Sequence, residues 1–168
     1  MVSRAIRLAC LVALVGSLSA CDWFDWLGAG KALEALAREA GAGYATLARL
    51  YEADLLVNQG DLDGALQRYD AVAADGAVDR QFRDLATLMA SSRRLDRDDA
   101  ASVIQRLQPL LADDNPWRFS ARELVAVAAL RASNATEARS NLTRLSDDAA
   151  APPGIRARAA ELLKSLGE

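Results

Sequence analysis

Apolar side chains recur at three- and four-residue spacing along most of this chain, the signature of amphipathic helices. Short breaks rich in glycine, aspartate, asparagine and proline separate the periodic segments. The first such segment, Lys31 to Ala40, places Leu33, Leu36 and Ala37 on one face and is stopped by Gly41 and Gly43. A helix over Tyr44 to Gln59 follows, marked by Leu47, Leu50, Leu55 and Leu56. Gly60-Asp61 breaks it, and Asp61 is placed to cap a helix over Leu62 to Ala74 that buries Ala65, Leu66, Tyr69 and Val72. After Asp75-Gly76, Asp79 is placed to cap a helix over Arg80 to Arg93 with Phe82, Leu85, Ala86 and Met89 on its face.

The second half reads the same way. Asp99 to Ala112 is periodic in Val103, Ile104, Leu107 and Leu111, but Pro109 predicts a kink or an early end near Gln108. Asp113-Asp114-Asn115-Pro116 is a strong break, with Pro116 in the first turn of a helix over Trp117 to Ala132. Ser133-Asn134 precedes a helix over Ala135 to Leu145. Ala151-Pro152-Pro153-Gly154 precedes the last, Ile155 to Leu166, with Ala159, Leu162, Leu163 and Leu166 inward.

The breaks carry a period. Gly60-Asp61 and Ser133-Asn134 stand 73 residues apart, two repeats of a length in the mid-thirties, near the roughly 34-residue hairpin of tetratricopeptide repeats. Ala53 and Ala65 then take the small positions of one hairpin, and Ala126 and Ala138 those of another. Tyr69 and Leu142 take the aromatic position. Small residues let paired helices close, and the large one fills the gap to the next hairpin. The middle pair fits in its first helix and needs an insertion in its second. The expected fold is therefore all-α: a tetratricopeptide-like right-handed solenoid of stacked antiparallel hairpins, with about seven to eight helices.

Composition supports helices and narrows the chemistry. Half the chain is hydrophobic (52%) but only 5% is aromatic, so alanine and leucine make the core and helix backbones can approach closely. Net charge is −3, with 20 basic and 23 acidic residues interleaved, which lacks the basic stripe of a nucleic-acid binder. There is no histidine, and both cysteines, Cys10 and Cys21, lie near the N-terminus. The body thus has no thiol and no imidazole for catalysis or metal ligation. No nucleophile elbow, phosphate loop or metal pair is present. The expectation is a chain that is not an enzyme, with no cofactor, no metal and no small-molecule substrate.

The N-terminus reads as an address. Arg4 and Arg7 precede an uncharged run from Leu8 to Ala20, whose 13 residues suit a signal-peptide core and fall short of the roughly twenty that span a bilayer. Leu18-Ser19-Ala20-Cys21 resembles a bacterial lipobox, which implies lipidation at Cys21. The expected organisation is a lipoprotein-type signal over 1–20, a membrane-proximal linker over 21–30 and the repeat domain over 31–168. Trp23, Phe24 and Trp26 either lie at the bilayer surface beside the anchor or cap the first helix. Asp22 after the cysteine resembles an inner-membrane retention signal, so the expected location is the periplasmic side of the inner membrane, with the outer membrane as the alternative.

Several residue groups admit two readings. The clusters Asp96, Asp98, Asp99, then Asp113, Asp114, Asn115, then Asp147, Asp148 are either helix caps or hard-cation ligands, and capping suits their positions at helix starts. Arg80, Arg83, Arg93, Arg94 and Arg97 are either an anion patch or a solvated helix surface. Trp117 is either an interface anchor or packing between hairpins. Arg49, Glu52, Arg122 and Glu123 fall on first helices, which line the concave face of tetratricopeptide arrays. They are the candidate protein-binding residues, with internal salt bridges as the other reading.

One resemblance sharpens the functional expectation. Gly60-Asp61-Leu62-Asp63-Gly64-Ala65 with Tyr69-Asp70, Phe82-Arg83-Asp84-Leu85-Ala86, Asn115-Pro116-Trp117-Arg118 with Ala121-Arg122-Glu123-Leu124, and Ala151-Pro152-Pro153-Gly154-Ile155-Arg156-Ala157-Arg158-Ala159 together resemble the tetratricopeptide-like domain of the ancillary Sec-translocon subunit family, in its alphaproteobacterial form. The likeness covers about Tyr44 to Leu166. It implies a periplasmic helical domain that associates with the translocon and with periplasmic chaperones, and it implies no catalytic residues. The chain departs from that family in having a lipobox-like signal where members have a transmembrane anchor. A protein-interaction scaffold is the resulting expectation. The alternative is a structural lipoprotein that assists outer-membrane or cell-wall assembly.

Overall fold

The computed structural model describes residues 42–167, together with Lys31 and Ala35, which are helical and exposed. The signal, Cys21, the linker, the Trp23–Trp26 cluster and most of the Lys31–Ala40 helix lie outside the described residues. Seven α-helices follow one another: α1 Ala42–Asn58, α2 Leu62–Ala74, α3 Arg80–Arg94, α4 Ala100–Leu107, α5 Arg118–Arg131, α6 Ala135–Asp147 and α7 Pro153–Ser165. A 3₁₀ turn, Gln108–Leu111, extends α4. Among the described residues there is no strand.

Helices pack chiefly on those one or two places along the chain, including α3 on α5 and α5 on α7. The apolar interior is correspondingly divided into three clusters in series. The first joins α1, α2 and α3 around Leu50, Ala53, Tyr69, Val72 and Ala86. The second joins α4 and its 3₁₀ extension to α5 through Val103, Leu107, Leu110, Ala121 and Val125. The third joins α5, α6 and α7 through Phe119, Ala126, Leu142, Leu145 and Ala159. This is the stack of helical hairpins expected, with a core that propagates instead of closing.

The second helices keep one register across all three hairpins. Helices α2, α4 and α6 begin at 62, 100 and 135, a spacing of 38 and then 35 residues. Their inward positions superpose as Ala65, Val103, Ala138, then Tyr69, Leu107, Leu142, then Val72, Leu110, Leu145, each no more than 2% exposed. The middle hairpin therefore keeps register through α4, and the insertion falls in the connection between α3 and α4. Pro109 explains the end of that helix. It has no N–H, and its ring clashes with the carbonyl four residues back, so the chain tightens into the 3₁₀ turn at Gln108.

Each second helix is capped identically. The side chains of Asp61, Asp99 and Asn134 accept hydrogen bonds from the backbone N–H of Gly64, Ser102 and Glu137, three residues on. First helices begin differently: Asp79 precedes α3 without a side-chain cap bond. Pro116 sits in the turn before α5, which starts at Arg118 and not at Trp117. On the last helix, α7, Ala157, Glu161 and Lys164 are exposed. An outer face of small and charged residues suits the end of a repeat stack. No described helix is long and apolar enough to cross a membrane.

Candidate protein-binding face

The four charged residues expected to contact a partner are mostly engaged inside the domain. Arg49 donates through one Nη to Asp75 at 2.8 Å and through the other to the Ala71 carbonyl at 3.5 Å, locking α1 to the end of α2. Glu52 lies 3.9 Å from Arg68 of α2, with its side chain 13% exposed. Glu123 on α5 takes a two-pronged bond from Arg158 on α7, 2.6 and 2.9 Å long. Arg122 has a buried Nε without a hydrogen-bond partner among the described residues. The structure thus does not gather these four into one exposed cluster.

The arginine-rich segment of α3 is likewise engaged. Arg94, only 8% exposed, bonds both carboxylate oxygens of Asp70 on α2, the closer at 2.6 Å, and pairs with Asp98 at 3.3 Å. Arg93 reaches Asp54 at 3.4 Å, Arg97 reaches Asp63 at 2.7 Å, and Arg80 lies 3.5 Å from both Asp84 and Asp114. Two of these bridges, Arg94 to Asp70 and Arg93 to Asp54, run from helix to helix, and the others tie α3 and its following turn to themselves or to neighbouring segments. Trp117 packs against the second apolar cluster and donates its indole N–H to the Gln81 carbonyl at 2.8 Å, so it joins α5 to α3. Beside it the buried side chain of Asn115 donates to Asp84 and accepts from the Trp117 N–H. The Asn-Pro-Trp-Arg stretch is a hairpin-to-hairpin joint.

In the acidic clusters, Asp99 and Asp148 accept backbone N–H bonds, and Asp96, Asp98 and Asp114 are paired with arginines. Asp99 caps α4, and the Ser102 hydroxyl and N–H hold its carboxyl below the usual range. Asp148 accepts from the Ala150 N–H. Asp96 pairs with Arg131 of α5. Among the described residues no group of three metal-ligating side chains converges. A cavity of about 230 Å³ lies at this edge, lined by Asp96, Asp98, Arg131, Val103 and Ala128. Its charges are already paired, Asp96 with Arg131 and Asp98 with Arg94, so it offers no free set of polar groups for a ligand.

What remains is a face that charge-based reasoning overlooked. Among the described residues, the large apolar side chains left exposed are Tyr44, 68% exposed, and Tyr51, 60% exposed. They stand seven residues apart on α1, hence on one stripe. At about 100° per residue, that stripe lies on the arc beyond Asp54, which points to α2 and α3. The matching arc of α3 lies between the residues that reach α1 and those that reach α5. It carries Gln81 and Ser92, while Leu85 beside them packs against the first apolar cluster. On α5, Ser120 and Val127 share an arc with Arg131, which at about 100° per residue stands about 20° from Ser120 and is exposed. All of these are at least partly exposed, and Arg131 is the charged residue among them. The signal was present in the sequence as tyrosines at 44 and 51, outside the buried heptad-like positions. No protein-family model, no curated protein and no solved structure matches this chain.

Proposed function

We propose that the chain is a non-enzymatic protein-interaction scaffold that presents the first-helix face of its hairpin stack to other proteins. The observation that carries this reading is the exposed Tyr44–Tyr51 stripe on a helix whose charges are all turned inward or sideways. Tyrosine supplies a large, stiff contact surface with a polar tip at low entropic cost, and is enriched where proteins bind proteins. The inter-helix ion pairs favour the same reading, because they hold the face rigid before a partner arrives.

We further propose that the scaffold works in the bacterial envelope. Its anchor is a lipid on Cys21, its location the periplasmic side of the inner membrane, and its partners the Sec translocon or periplasmic chaperones. The resemblance of the repeat segments and the lipobox-like stretch support this placement. The test is a photo-crosslinking amino acid at Tyr51 in the full chain, in bacterial cells, with the adducts identified by mass. Translocon or chaperone adducts support the reading. Adducts only to outer-membrane assembly machinery move the function to the structural-lipoprotein alternative. Palmitate labelling lost in Cys21→Ser tests the anchor separately.

A further inference from the structure

We infer that Arg83, Arg122 and Arg156 form a second binding surface, which takes an extended acidic polypeptide segment. The first helices carry an arginine at one repeat position: Arg49, Arg83, Arg122 and Arg156, spaced 34, 39 and 34 residues apart. The longer step contains the α3–α4 insertion. Burial supports this alignment of the last three. The residues three and seven places on are Ala86 and Ala90, Val125 and Ala129, Ala159 and Leu163, none more than 6% exposed. Helix α3 packs on α5, and α5 on α7. Arg83, Arg122 and Arg156 therefore make a row along the stack.

Arg49 shows what this position holds. It donates to the Asp75 carboxylate at 2.8 Å and to the Ala71 carbonyl at 3.5 Å. The three arginines of the row have no such partner. Each is half-buried, and each has its Nε buried with no hydrogen-bond acceptor among the described residues. The carboxylates around them are committed elsewhere. Asp84 is held by Arg80 and Asn115, and Glu123 by Arg158. Asp148 stands 26 residues after Arg122, as Asp75 stands after Arg49, but it accepts the Ala150 N–H and takes no bond from Arg122. A half-buried guanidinium without a counter-charge has given up water for nothing in return. An incoming carboxylate supplies the missing acceptor, and the planar guanidinium meets it with two parallel bonds. Packing already fixes these side chains, so binding costs them little entropy.

The spacing fixes the form of the occupant. Packed helices lie about 8–10 Å apart, which an extended chain covers in about three residues. A segment with a carboxylate at every third place matches the row, and its peptide carbonyls offer the second kind of acceptor that Arg49 already uses. The row is separate from the tyrosine stripe. At about 100° per residue, Arg49 on α1 points about 140° away from Tyr44 and about 160° away from Tyr51. The inference therefore adds a surface to the scaffold reading and does not rest on it.

The test titrates the full chain into a fluorescent peptide in which aspartate stands at every third place among serines and glycines, and follows the anisotropy. Companion peptides carry asparagine at those places, or the same aspartates side by side. Binding of the spaced acidic peptide should saturate and weaken several-fold with added salt. The asparagine peptide should bind at least about tenfold more weakly, and the clustered one several-fold more weakly. Arg122→Gln should weaken binding of the spaced peptide about tenfold. Arg144→Gln removes an exposed charge on α6, away from the row, and should change nothing. Should Arg122→Gln lose its folded circular dichroism, Arg122→Lys keeps the charge without the planar fork and should still weaken binding several-fold. Equal losses in the Arg122 and Arg144 variants overturn the inference, as does equal binding of the three peptides. Tighter binding in Asp148→Asn would show that Arg122 already holds that carboxylate, and would refute the free row. Inorganic polyphosphate that binds more tightly than the peptide, with the same dependence on Arg122, would refute a peptide as the occupant.

Discussion

The phenol of Tyr69 on α2 donates to the carboxylate of Asp54 on α1 at 2.7 Å, while its ring is fully buried in the first apolar cluster. Asp54 also takes Arg93 of α3 at 3.4 Å. One hydroxyl thus ties the aromatic plug of the first hairpin to three helices. Burial, then the bond to Asp54 and its negative charge, raise the Tyr69 pKa well above the usual value near 10. The folded state keeps the proton where the unfolded state loses it, so stability is complete below about pH 10 and falls as pH rises beyond it. Tyr69→Phe should cost about 1 kcal/mol at pH 7 and should remove most of that alkaline loss. Urea unfolding midpoints of both proteins at pH 8 and pH 11 check it. Parallel alkaline slopes would refute the assignment.

Arg94 is the most buried charge of the stack, and Asp70 and Asp98 are its partners on α2 and beside α4. Removing the guanidinium leaves two facing carboxylates and a gap between three helices. Arg94→Ala should destabilise by about 2–3 kcal/mol. Arg94→Met, which keeps the volume, should recover part of it. Thermal unfolding of the two variants gives the ordering. Equal losses would show that the side-chain volume contributes nothing and that the lost charge pairing accounts for the whole effect.

Gly60 and Ser133 occupy the same place in their hairpins, with φ of 81° and 57°. In each case the next N–H reaches back to the carbonyl five residues earlier, Asp61 to Leu56 at 2.9 Å and Asn134 to Ala129 at 2.8 Å. Left-handed backbone is free for glycine and strained for serine. Ser133→Gly should therefore stabilise the protein by about 0.5–1 kcal/mol, and Gly60→Ala should destabilise it by a similar amount. Chemical denaturation resolves both, and a loss on Ser133→Gly would contradict the strain argument.

The hairpin turns were the most legible part of the sequence for this reason. Gly60-Asp61 and Ser133-Asn134 encode a left-handed residue followed by a cap, a local requirement that residue type reveals directly. The α3–α4 connection was not legible, because Asp96 to Asp99 gives several equivalent cap candidates and only packing of Val103 and Leu107 sets the register. The surroundings of the charged candidates were not legible for a different reason. A helical pattern assigns Arg49, Glu52 and Glu123 to first helices, but which arc faces a neighbour depends on crossing geometry that periodicity does not contain. Tyr44 and Tyr51 were readable as aromatic and placed on α1, yet their exposure follows only from where α2 and α3 sit.

Asp75 offers an acid-side counterpart to Tyr69. The Arg49 guanidinium, then the Ala77 N–H, hold its carboxyl below the ordinary carboxylate value near 3.8. A lowered folded pKa means that the contribution is present above the ordinary value and disappears as pH falls through the folded one. Arg49→Gln should raise the Asp75 pKa toward its ordinary value and flatten the stability loss below about pH 4. Carboxyl carbon shifts followed by NMR report the pKa directly. An unchanged Asp75 titration in the variant would show that the Arg49 bond does not set it.

The Glu123–Arg158 pair decides between structural and recognition roles for the first-helix charges. Its two bonds run between α5 and α7, with Arg158 57% exposed, so solvent screens most of its attraction. Glu123→Gln should cost less than about 1 kcal/mol and should leave partner crosslinking at the tyrosine face unchanged. Arg122→Gln should behave the same way toward the partner, since its Nε is buried. Photo-crosslinking from Tyr44 in both variants and in Tyr51→Ala separates the roles. Loss of binding only in Tyr51→Ala places recognition on the aromatic stripe. Loss in Glu123→Gln, with stability intact, would return the binding site to the charged residues.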